Sequence, residues 1–396
     1  MKLALVVQRY GLEINGGAEL HCRWIAERLG KYAETEVLTT KAVDYLTWKN
    51  AISADEEMIN GIRVRRFPVT RPRRPEKFGR LQNQLLADER HSEADELRWL
   101  DEEGPLSPSL IDYIREREAD YDYFIFFSYR YYHSYWGIRA VPHKSILVPT
   151  AERDPVIGLR IFRDLFRKPR ALIYNSVEER RMINAVSGNE NVLGDVVGVG
   201  SEVSASPSAE AFRKTYGVDS PYIIYIGRVD ENKGCHKLFE YFLRYKKEST
   251  SGLKLVLAGS TVMRIPAQPD IHYLGFMRED DKFNALAGAE LLVMPSFFES
   301  LSMVTLEAWA IGKPVLANAL CDVLKGQCLR SNGGLFYENY PEFREGLSLL
   351  LSSPRLRRTL GENGRKYFEA NYRWEVIEQK YLAVFDRLEK DKERSA

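Results

Sequence analysis

The sequence predicts an α/β protein made of two domains, each with a mostly parallel sheet covered by helices. Short apolar runs of strand length alternate with amphipathic helical patterns along the chain, as in parallel α/β layers. The length of 396 residues exceeds what one hydrophobic core usually supports. A content of 44% hydrophobic and 29% charged residues is that of a globular protein.

The first half contains seven predicted strands and one clear helix. The strands are expected near residues 2–8, 34–39, 62–67, 122–127, 145–149, 171–174 and 195–199. A helix is expected at 17–29, where Leu20 and Trp24 begin an apolar face with the helical period. Residues 68–104 interrupt the alternation, and we expect this insertion to place helices over the first domain.

The second half repeats the pattern after a small polar segment, 201–207, which is the predicted linker between domains 1–200 and 208–373. Its strands are expected near residues 222–226, 253–258, 271–273, 290–294 and 314–317. Residues 354–371 form a predicted helix, and another begins at Trp374. We expect the charged tail 389–396 to fray.

Glu299 and Glu307 follow the predicted strand 290–294, and a helical pattern then ends at Gly312. On one helix, residues at this spacing lie within about 80° of each other and about 12 Å apart along the axis. That separation suits a ligand with polar groups at both ends, and amides near 300–303 would be free to bind an anion. The alternative is an amphipathic helix that carries two solvated acids.

Two cations follow the predicted strand 222–226. Gly227-Arg228 forms a turn at the end of the strand, and Lys233 precedes Gly234 and a helical pattern. Open α/β sheets bind ligands at the carboxyl ends of their strands. Arg228 and Lys233 would neutralise a diphosphate there, and Arg can also hold it bidentately.

These motifs, in this order, resemble those of the retaining family-4 glycosyltransferases of the GT-B fold. The matching elements are Gly227-Arg228, Lys233-Gly234, the Glu299–Glu307 pair, the glycine loop that begins at Asn15, the strand at 255–260, and the strand and loop at 271–276. The resemblance spans essentially the whole chain. It implies two Rossmann-like domains facing across a cleft, with a last helix, 374–396, that crosses back to the first domain.

The resemblance also implies roles for individual residues. Arg228 and Lys233 would stabilise the departing diphosphate, and Glu299 would hold hydroxyls of the donor sugar. Glu307 would accept hydrogen bonds from the ribose hydroxyls. The other expected donor-binding residues are Gly16, Gly17, Gly227, Gly275, Phe276, Met277, Ser300, Leu301, Ser302 and Met303.

Residues 121–136 are dense in aromatic side chains, and those beyond Ser128 continue past a plausible strand. Aromatic rings with polar tips suit a sugar-binding wall. Family members often place a histidine after this strand, so His133 is the candidate catalytic histidine, with an ordinary loop histidine as the alternative. Tyr131 and Tyr132 are expected on the acceptor side.

Relatives often carry Thr-x-His-Asp where this chain has Thr150-Ala151-Glu152-Arg153-Asp154. Glu152 therefore replaces the family's histidine, and this departure weakens the expectation that the loop makes the family's usual acceptor or donor contact. We retain Glu152 and Arg153 as candidate acceptor-side residues.

No cofactor and no metal are expected. Asp120-Tyr121-Asp122 has the D-x-D spacing of metal sites in a different glycosyltransferase fold, but it precedes a strand and is interpreted as a solvated strand entry. The sequence has no His/Cys cluster with metal-ligand spacing. Neither Gly16-Gly17 nor Gly198-Val199-Gly200 completes a G-x-G-x-x-G fingerprint, which argues against a nicotinamide enzyme.

Two basic segments, 63–80 and 160–170, belong to the predicted first domain. They predict either solvated loops or contact with an anionic acceptor or membrane surface. The net charge of +1 gives no reason to expect nucleic acid. Four cysteines without C-x-x-C spacing and the absence of an 18-residue apolar run predict a cytoplasmic protein, either free or peripheral at the inner face of the membrane.

The predicted reaction is transfer of a sugar from a UDP- or GDP-linked donor to a hydroxyl of a glycan or lipid-linked acceptor, in cell-surface glycan or glycolipid synthesis. The resemblance implies retention of the anomeric configuration, with the leaving phosphate helping to deprotonate the acceptor. Two alternatives stay open: a nucleotide-sugar 2-epimerase or hydrolase on the same fold, and a non-catalytic sugar- or membrane-binding relic.

Overall fold

The structure is a computed structural model that describes residues 1–14, 16–88, 90–203 and 206–395. Asn15 of the predicted glycine loop, Ser204 and Ala205 of the predicted linker and the terminal Ala396 lie outside the described residues. The chain divides into two compact units. Unit 1 consists of Met1–Val199 and Glu378–Ala396, and unit 2 consists of Gly200–Ile377.

The described part of unit 1 is built on an eight-stranded sheet. Its strands are β1 (Lys2–Val6), β2 (Glu34–Thr40), β3 (Glu56–Ile59), β4 (Ile62–Phe67), β5 (Tyr123–Phe127), β6 (Ser145–Val148), β7 (Ala171–Tyr174) and β8 (Leu193–Val196). Their order is β3-β4-β2-β1-β5-β6-β7-β8, and all neighbours are parallel except β3 and β4. The chain order therefore reverses between β1 and β5, and open α/β sheets bind ligands beyond the carboxyl ends of strands at such a switch point.

The helices of unit 1 cover this sheet. They are α1 (Gly17–Leu29), α2 (Pro75–Ala87), α3 (Glu93–Glu103), α4 (Pro108–Glu116), α5 (Tyr132–Ala140), α6 (Arg160–Leu165) and α7 (Val177–Ser187). Helices α2 and α3 lie in the segment predicted as an insertion. Helix α3 begins with a capping box between Ser92 and Asp95, which supplies two of the hydrogen bonds that a helix start lacks. Trp99 of α3 is fully buried and packs edge-on against Phe162 of α6.

Strand β3 was not predicted, because its sequence Glu-Glu-Met-Ile lacks a buried apolar run. It pairs antiparallel with β4 through a two-residue turn, in which Asn60 and Gly61 have φ angles of 49° and 80°. Asn-Gly is the preferred sequence for such a turn, so the signal for this hairpin was present in the sequence.

The described part of unit 2 is built on a six-stranded parallel sheet. Its strands are β9 (Tyr222–Ile226), β10 (Lys254–Ala258), β11 (Ile271–Tyr273), β12 (Leu291–Met294), β13 (Val315–Asn318) and β14 (Gly334–Tyr337). The order β11-β10-β9-β12-β13-β14 puts the switch point between β9 and β12. Strand β14 was not predicted. Its first residue has to be a glycine, because a Cβ at Gly334 would lie 2.3 Å from the Val315 carbonyl oxygen.

The helices of unit 2 are α8 (Ala209–Tyr216), α9 (Cys235–Glu248), α10 (Glu279–Gly288), α11 (Met303–Ala310), α12 (Asp322–Ser331), α13 (Tyr340–Ser352) and α14 (Pro354–Asn371). Helix α8 precedes β9, and the other helices follow β9, β11, β12, β13 and β14. Helix α11 packs closely on α14 because of a small residue, since a Cβ at Gly364 would lie 2.2 Å from a ring carbon of Trp309. The indole N–H of Trp309 donates to the Gly333 carbonyl over 2.8 Å.

Helix α15 (Trp374–Ser395) begins in unit 2, and its residues from Glu378 onward belong to unit 1. In unit 1, the Glu378 carboxylate accepts a hydrogen bond from the Tyr32 hydroxyl over 2.6 Å, and Phe385 stacks on Tyr123. The helix continues to Ser395, and the fraying of the charged tail stays a prediction. No helix in the described ranges is both long enough and apolar enough to cross a bilayer.

Candidate functional site

The β9–β12 switch point brings together three of the predicted catalytic residues. Arg228 and Lys233 lie on the loop between β9 and α9, and Glu299 lies on the loop between β12 and α11. The Lys233 Nζ atom donates to Glu299 Oε1 over 2.9 Å and to the Phe298 carbonyl over 3.2 Å. Both side chains of the pair are partly accessible, with 27% of Lys233 and 13% of Glu299 exposed. This loop pair therefore presents a cation and an acid at the edge of the sheet where ligands bind.

A buried carboxylate that the sequence analysis did not single out organises the first of these loops. Asp230 accepts a hydrogen bond from the Lys233 backbone N–H over 2.7 Å through Oδ1, and from Arg228 Nε through Oδ2. An aspartate that caps the N–H group three residues ahead is a typical turn signal, so Asp230 could have been found from its spacing to Lys233. Its second oxygen aligns Arg228, whose side chain remains 40% exposed.

Glycines allow the strand ends at this edge to approach each other closely. The Gly227 N–H donates to the Ala258 carbonyl over 2.9 Å, and the Gly259 N–H donates to the Gly275 carbonyl over 2.7 Å. A Cβ at Gly259 would lie 2.0 Å from the Gly227 carbonyl oxygen, and one at Gly234 would lie 2.1 Å from that of Pro295. Gly259 and Gly234 also have φ angles of 135° and 70°, which glycine adopts at little cost. A side chain at either position would displace the cationic loop.

Glu299 does not lie on a helix, which corrects the helical geometry expected for the glutamate pair. Helix α11 begins only at Met303, and the residue before it, Ser302, has a φ of +66°. The Ser302 hydroxyl pairs with the Thr305 hydroxyl over 2.9 Å, which helps to hold this unusual backbone. Leu301 and Ser302 are buried, whereas Ser300 and Met303 are partly exposed. The expected contacts of these four residues with a donor stay predictions.

Glu307 lies on α11 and is buried beside a lysine that the sequence analysis missed. The Lys282 Nζ atom, on α10, donates to Glu307 Oε1 over 2.9 Å and to Glu279 Oε2 over 2.6 Å. Burial raises the pKa of Glu307, and Lys282 opposes that shift. No local spacing connects residues 282 and 307, so only the fold reveals the pair.

Three of the predicted donor-binding residues, Gly275, Phe276 and Met277, follow β11. Gly275 has a φ of +71° and space around its Cα, and the Phe276 side chain is 69% exposed. Met277 is buried, and its expected contact with a donor stays a prediction. An exposed aromatic ring at the carboxyl edge of a parallel sheet is a suitable surface for a planar base.

In unit 1, the predicted glycine loop precedes α1 and follows β1. A Cβ at Gly16 would lie 2.2 Å from Glu19 Oε2, so this glycine makes room for a carboxylate of its own unit. Glu19 forms a salt bridge with Arg9 in which both side chains are 7% exposed. Gly17 has nothing within 4 Å of an added Cβ and opens to solvent. The predicted donor contacts of Gly16 and Gly17 remain predictions.

The sequence analysis also did not single out two hydroxyl residues with strained backbones, which lie just after β5 and β6. Ser128 and Thr150 have φ angles of 68° and 47°, a region in which a β-branched residue is a genuine outlier. Their side-chain oxygens form a hydrogen bond of 2.8 Å. Strain of this kind clusters at ligand-binding and catalytic positions.

His133 is fully buried on α5, which replaces the expected loop. Its Nε2 lies 3.0 Å from the Phe127 carbonyl oxygen, and burial lowers the pKa of the imidazole to about 4. A side chain without exposed surface does not reach a substrate in this conformation, so the position favours a structural part for His133. Tyr131 and Tyr132, by contrast, are partly exposed at the start of the helix.

The acceptor-side loop after β6 holds Glu152, which is half-buried, and Arg153, which is exposed. Two neighbours fix the loop: the Ala151 N–H donates to the buried Glu179 carboxylate, and Arg130 donates to Asp154 over 2.9 Å. The loop therefore keeps a defined conformation without the histidine that relatives carry.

Acids of unit 1 neutralise much of the first basic segment. Within 63–80, ion pairs among the described residues involve Arg65, Arg66, Arg71, Arg73 and Lys77. In the segment 160–170, the apolar side chains that could enter a membrane are buried, namely Ile161, Phe162, Leu165 and Phe166. These side chains therefore cannot insert into a bilayer in this conformation.

The described residues contain no group of three or more His, Cys, Asp or Glu side chains arranged to hold a metal ion.

Comparison with solved structures shows that the chain has the GT-B fold. This fold consists of two α/β domains with mostly parallel sheets, and one helix at the C-terminus of the chain. The structure of the Anabaena protein HepE in complex with UDP and glucose matches the chain with a TM-score of 0.72. The two chains are 15% identical, and the match covers 98% of this chain and 99% of that chain. Likeness at this identity defines the fold alone.

Residues 208–367 match the family described as glycosyl transferases group 1. Among curated relatives, the alpha-D-kanosaminyltransferase of Streptomyces kanamyceticus is 29% identical over 40% of this chain and 44% of its own length. The N,N'-diacetylbacillosaminyl-diphospho-undecaprenol alpha-1,3-N-acetylgalactosaminyltransferase of Campylobacter jejuni is 26% identical over 47% of this chain and 50% of its own length. The chain thus spans about half the length of these relatives. The family match is carried by unit 2, which contains Arg228, Lys233, Glu299 and Glu307.

Proposed function

We propose that the protein is a retaining glycosyltransferase that moves a hexosyl or related sugar from a nucleoside diphosphate to a hydroxyl acceptor without a metal. One observation carries the proposal: Arg228 and Lys233 lie on one loop of the β9–β12 switch point, and Glu299 lies on the other, 2.9 Å from Lys233. All three belong to the segment that matches the group 1 glycosyl transferases.

The chemistry requires stabilisation of the diphosphate as its bond to the sugar breaks. Arg228 supplies a planar fork of donors that Asp230 has already aligned, and Lys233 supplies a second positive charge. Preorganised cations placed where negative charge develops usually contribute more to such catalysis than any other single effect. When phosphate oxygens take the Lys233 Nζ, Glu299 is free to accept hydrogen bonds from the donor sugar.

The proposed donor is a UDP-linked sugar, with a GDP-linked sugar as the alternative. The exposed Phe276 ring offers a surface for the base, and Glu307 offers a carboxylate for the ribose hydroxyls. HepE, which shares the GT-B fold, is solved in complex with UDP and glucose, and the choice of UDP is made by analogy with that fold. The two relatives transfer different sugars by name, so the sugar is to be found by experiment.

The proposed acceptor is a glycan or lipid-linked glycan, held by unit 1 with contributions from Tyr131, Tyr132, Glu152 and Arg153. The Campylobacter relative carries diphospho-undecaprenol in the name of its acceptor, which supports a lipid-linked substrate. We also propose that the enzyme is cytoplasmic and contacts an anionic membrane through 63–80 and 160–170. This contact would be made by the charges of exposed Lys and Arg side chains alone. Co-sedimentation with anionic vesicles at low and high salt tests it, since each Lys or Arg contributes about 1 kcal/mol that salt screens.

The test begins with thermal shifts in the presence of UDP, GDP and ADP, because a ligand at 100 times its dissociation constant adds about 2.7 kcal/mol of stability. The sugar donors of the stabilising nucleotide are then supplied with an acceptor library, and NMR of the product gives its anomeric configuration. EDTA is expected to leave the rate unchanged.

An inverted product or loss of activity in EDTA would contradict the retaining or metal-free part of the proposal. A donor epimerised at C2 in the absence of acceptor would identify an epimerase instead. Donor binding without any turnover would identify a relic.

A further inference from the structure

We infer that Lys282 is a positioning residue for the donor: it holds the buried Glu307 carboxylate in one orientation, as a charged acceptor for the ribose hydroxyls. This inference rests on the proposed function, because it assigns Glu307 to a nucleotide. Lys282 does not itself contact the donor in this account. It acts through Glu307.

The geometry of the pair supports this role. Lys282 projects from α10, and its Nζ lies 2.9 Å from Glu307 Oε1 on α11, so the contact joins two helices. Only 12% of the Lys282 side chain and 6% of the Glu307 side chain are exposed. A carboxylate removed from water to this extent is strongly destabilised unless a cation and hydrogen bonds replace its hydration. Glu279 contributes the second contact to Lys282, over 2.6 Å.

The charged groups that act on Glu307 come from α10. Burial raises the pKa of Glu307, Lys282 lowers it, and Glu279 adds a smaller upward contribution. Burial opposes the charge on Lys282, but Glu307 and Glu279 outweigh it, so the pKa of Lys282 is raised and the lysine stays protonated. Among the other elements packed on α11, β12 and β13 carry no titratable side chain, and α14 turns Tyr367 toward Trp309.

The orientation of the carboxylate follows from which oxygen Lys282 occupies. The one hydrogen bond described for the Glu307 carboxylate involves Oε1, which leaves Oε2 to accept from a ribose hydroxyl. An ionised carboxylate only accepts hydrogen bonds, whereas the protonated acid turns one oxygen into a donor. Loss of Lys282 would therefore free the orientation of the carboxyl group and raise the pKa of Glu307 further, which favours the protonated acid.

The experiment measures UDP and GDP binding by calorimetry between pH 5.5 and 8.5 for the wild type, Lys282→Met and Lys282→Arg. We expect Lys282→Met to weaken binding about tenfold at the acidic end, where the Glu307 carboxyl without Lys282 is protonated in a larger share of the molecules. This loss should shrink as pH rises through the raised pKa and the carboxylate is restored. Lys282→Arg should recover most of the affinity, because it restores the charge.

Two further variants separate positioning from packing. Lys254→Met removes a matched lysine of the same unit, which pairs with Asp270 over 2.7 Å at the opposite, amino-terminal end of β10, and should bind like the wild type. In a Glu307→Gln background, adding Lys282→Met should cause no further loss.

A loss of affinity that does not vary with pH, or that Lys282→Arg fails to recover, would reduce Lys282 to a packing residue and overturn the inference. Wild-type affinity in Lys282→Met at every pH would overturn it as well. If the wild type binds neither nucleotide, the proposed function itself fails and the inference falls with it.

Discussion

The switch points of the two sheets use similar residue types in different ways. At the edge of unit 1, Arg9 is closed into a salt bridge with Glu19, and Arg73 pairs with Glu103 over 2.6 Å with both side chains almost fully buried. At the edge of unit 2, the side chains of Arg228 and Lys233 are 40% and 27% exposed. These two arginines are therefore part of the internal structure of unit 1, while unit 2 keeps Arg228 and Lys233 within reach of a ligand.

This difference teaches that the accessibility of an arginine or lysine at such an edge, rather than its presence there, distinguishes a cation that can bind a phosphate from one that belongs to the internal structure. Buried ion pairs are costly to break, because removal of one partner leaves an uncompensated charge. Partly exposed cations can exchange their protein partners for a phosphate. The two edges should therefore respond to mutation in opposite ways, one through stability and the other through activity.

The largest effect is expected at the edge of unit 1, where the Arg9–Glu19 pair is buried. Glu19→Ala leaves the buried Arg9 guanidinium without its acid and should lower the free energy of unfolding by about 3–5 kcal/mol. Urea denaturation followed by tryptophan fluorescence measures this, since Arg9 also lies over the Trp48 ring. Glu34→Ala, which breaks the exposed pair with Lys2, is the control and should change stability by less than about 1 kcal/mol. Equal effects for the two variants would remove the contrast between the edges.

The second-largest effect is expected at the edge of unit 2, where Arg228 and Lys233 are partly exposed. Lys233→Ala or Arg228→Ala should reduce the rate of sugar transfer about a hundredfold or more, with little change in stability. Lys254→Ala is a closely matched control, because its Nζ also contacts a carbonyl and the following carboxylate, those of Pro269 and Asp270. A near-normal rate in both Lys233→Ala and Arg228→Ala would take these residues out of the active site.

The two glutamates of unit 2 should separate binding from transfer. Glu307→Ala should mainly raise the dissociation constant of the donor, whereas Glu299→Ala should lower transfer more than affinity, because Glu299 lies beside Lys233 and faces the reacting end of the donor in our proposal. Calorimetry together with initial rates resolves the two. Small, equal effects would instead favour two structural acids.

The smallest effect is expected at the strained pair of unit 1. Thr150→Gly relieves a φ of +47° but loses the hydrogen bond to Ser128, so the free energy of unfolding should change by no more than about 1 kcal/mol, while transfer decreases. Thr150→Ser, which keeps the hydroxyl, should retain more activity. A stability loss above about 2 kcal/mol in Thr150→Gly would show that the conformation carries little strain.

The sequence predicted the buried parallel strands well, because such strands are continuous apolar runs, as in β5 and β9. It did not predict β3, an acidic edge strand, or β14, which begins with a glycine. Within the candidate site, Arg228, Lys233 and Glu299 were found because they follow strands. Lys282 was missed because its partner Glu307 lies 25 residues away on another helix.

His133 illustrates a different limit. The family resemblance suggested a catalytic contact for a histidine after this strand, whereas the helical turn of α5 directs the imidazole inward to the Phe127 carbonyl. A sequence pattern shows that a polar side chain follows a strand; it does not show on which side of the next helix that side chain lies. Glu19 and Arg9 were missed as a pair for the same reason.

Helix α15 has a consequence for the order in which the protein can be assembled during synthesis. Residues from Glu378 onward belong to unit 1, yet they are translated after all of unit 2, whose residues are contiguous. Tyr381 and Leu388, fully buried in the finished fold, are therefore missing while the rest of unit 1 is already made. Unit 2 can therefore complete its core first. Until the residues from Glu378 onward leave the ribosome, the surface of unit 1 that they cover is exposed to chaperones and proteases.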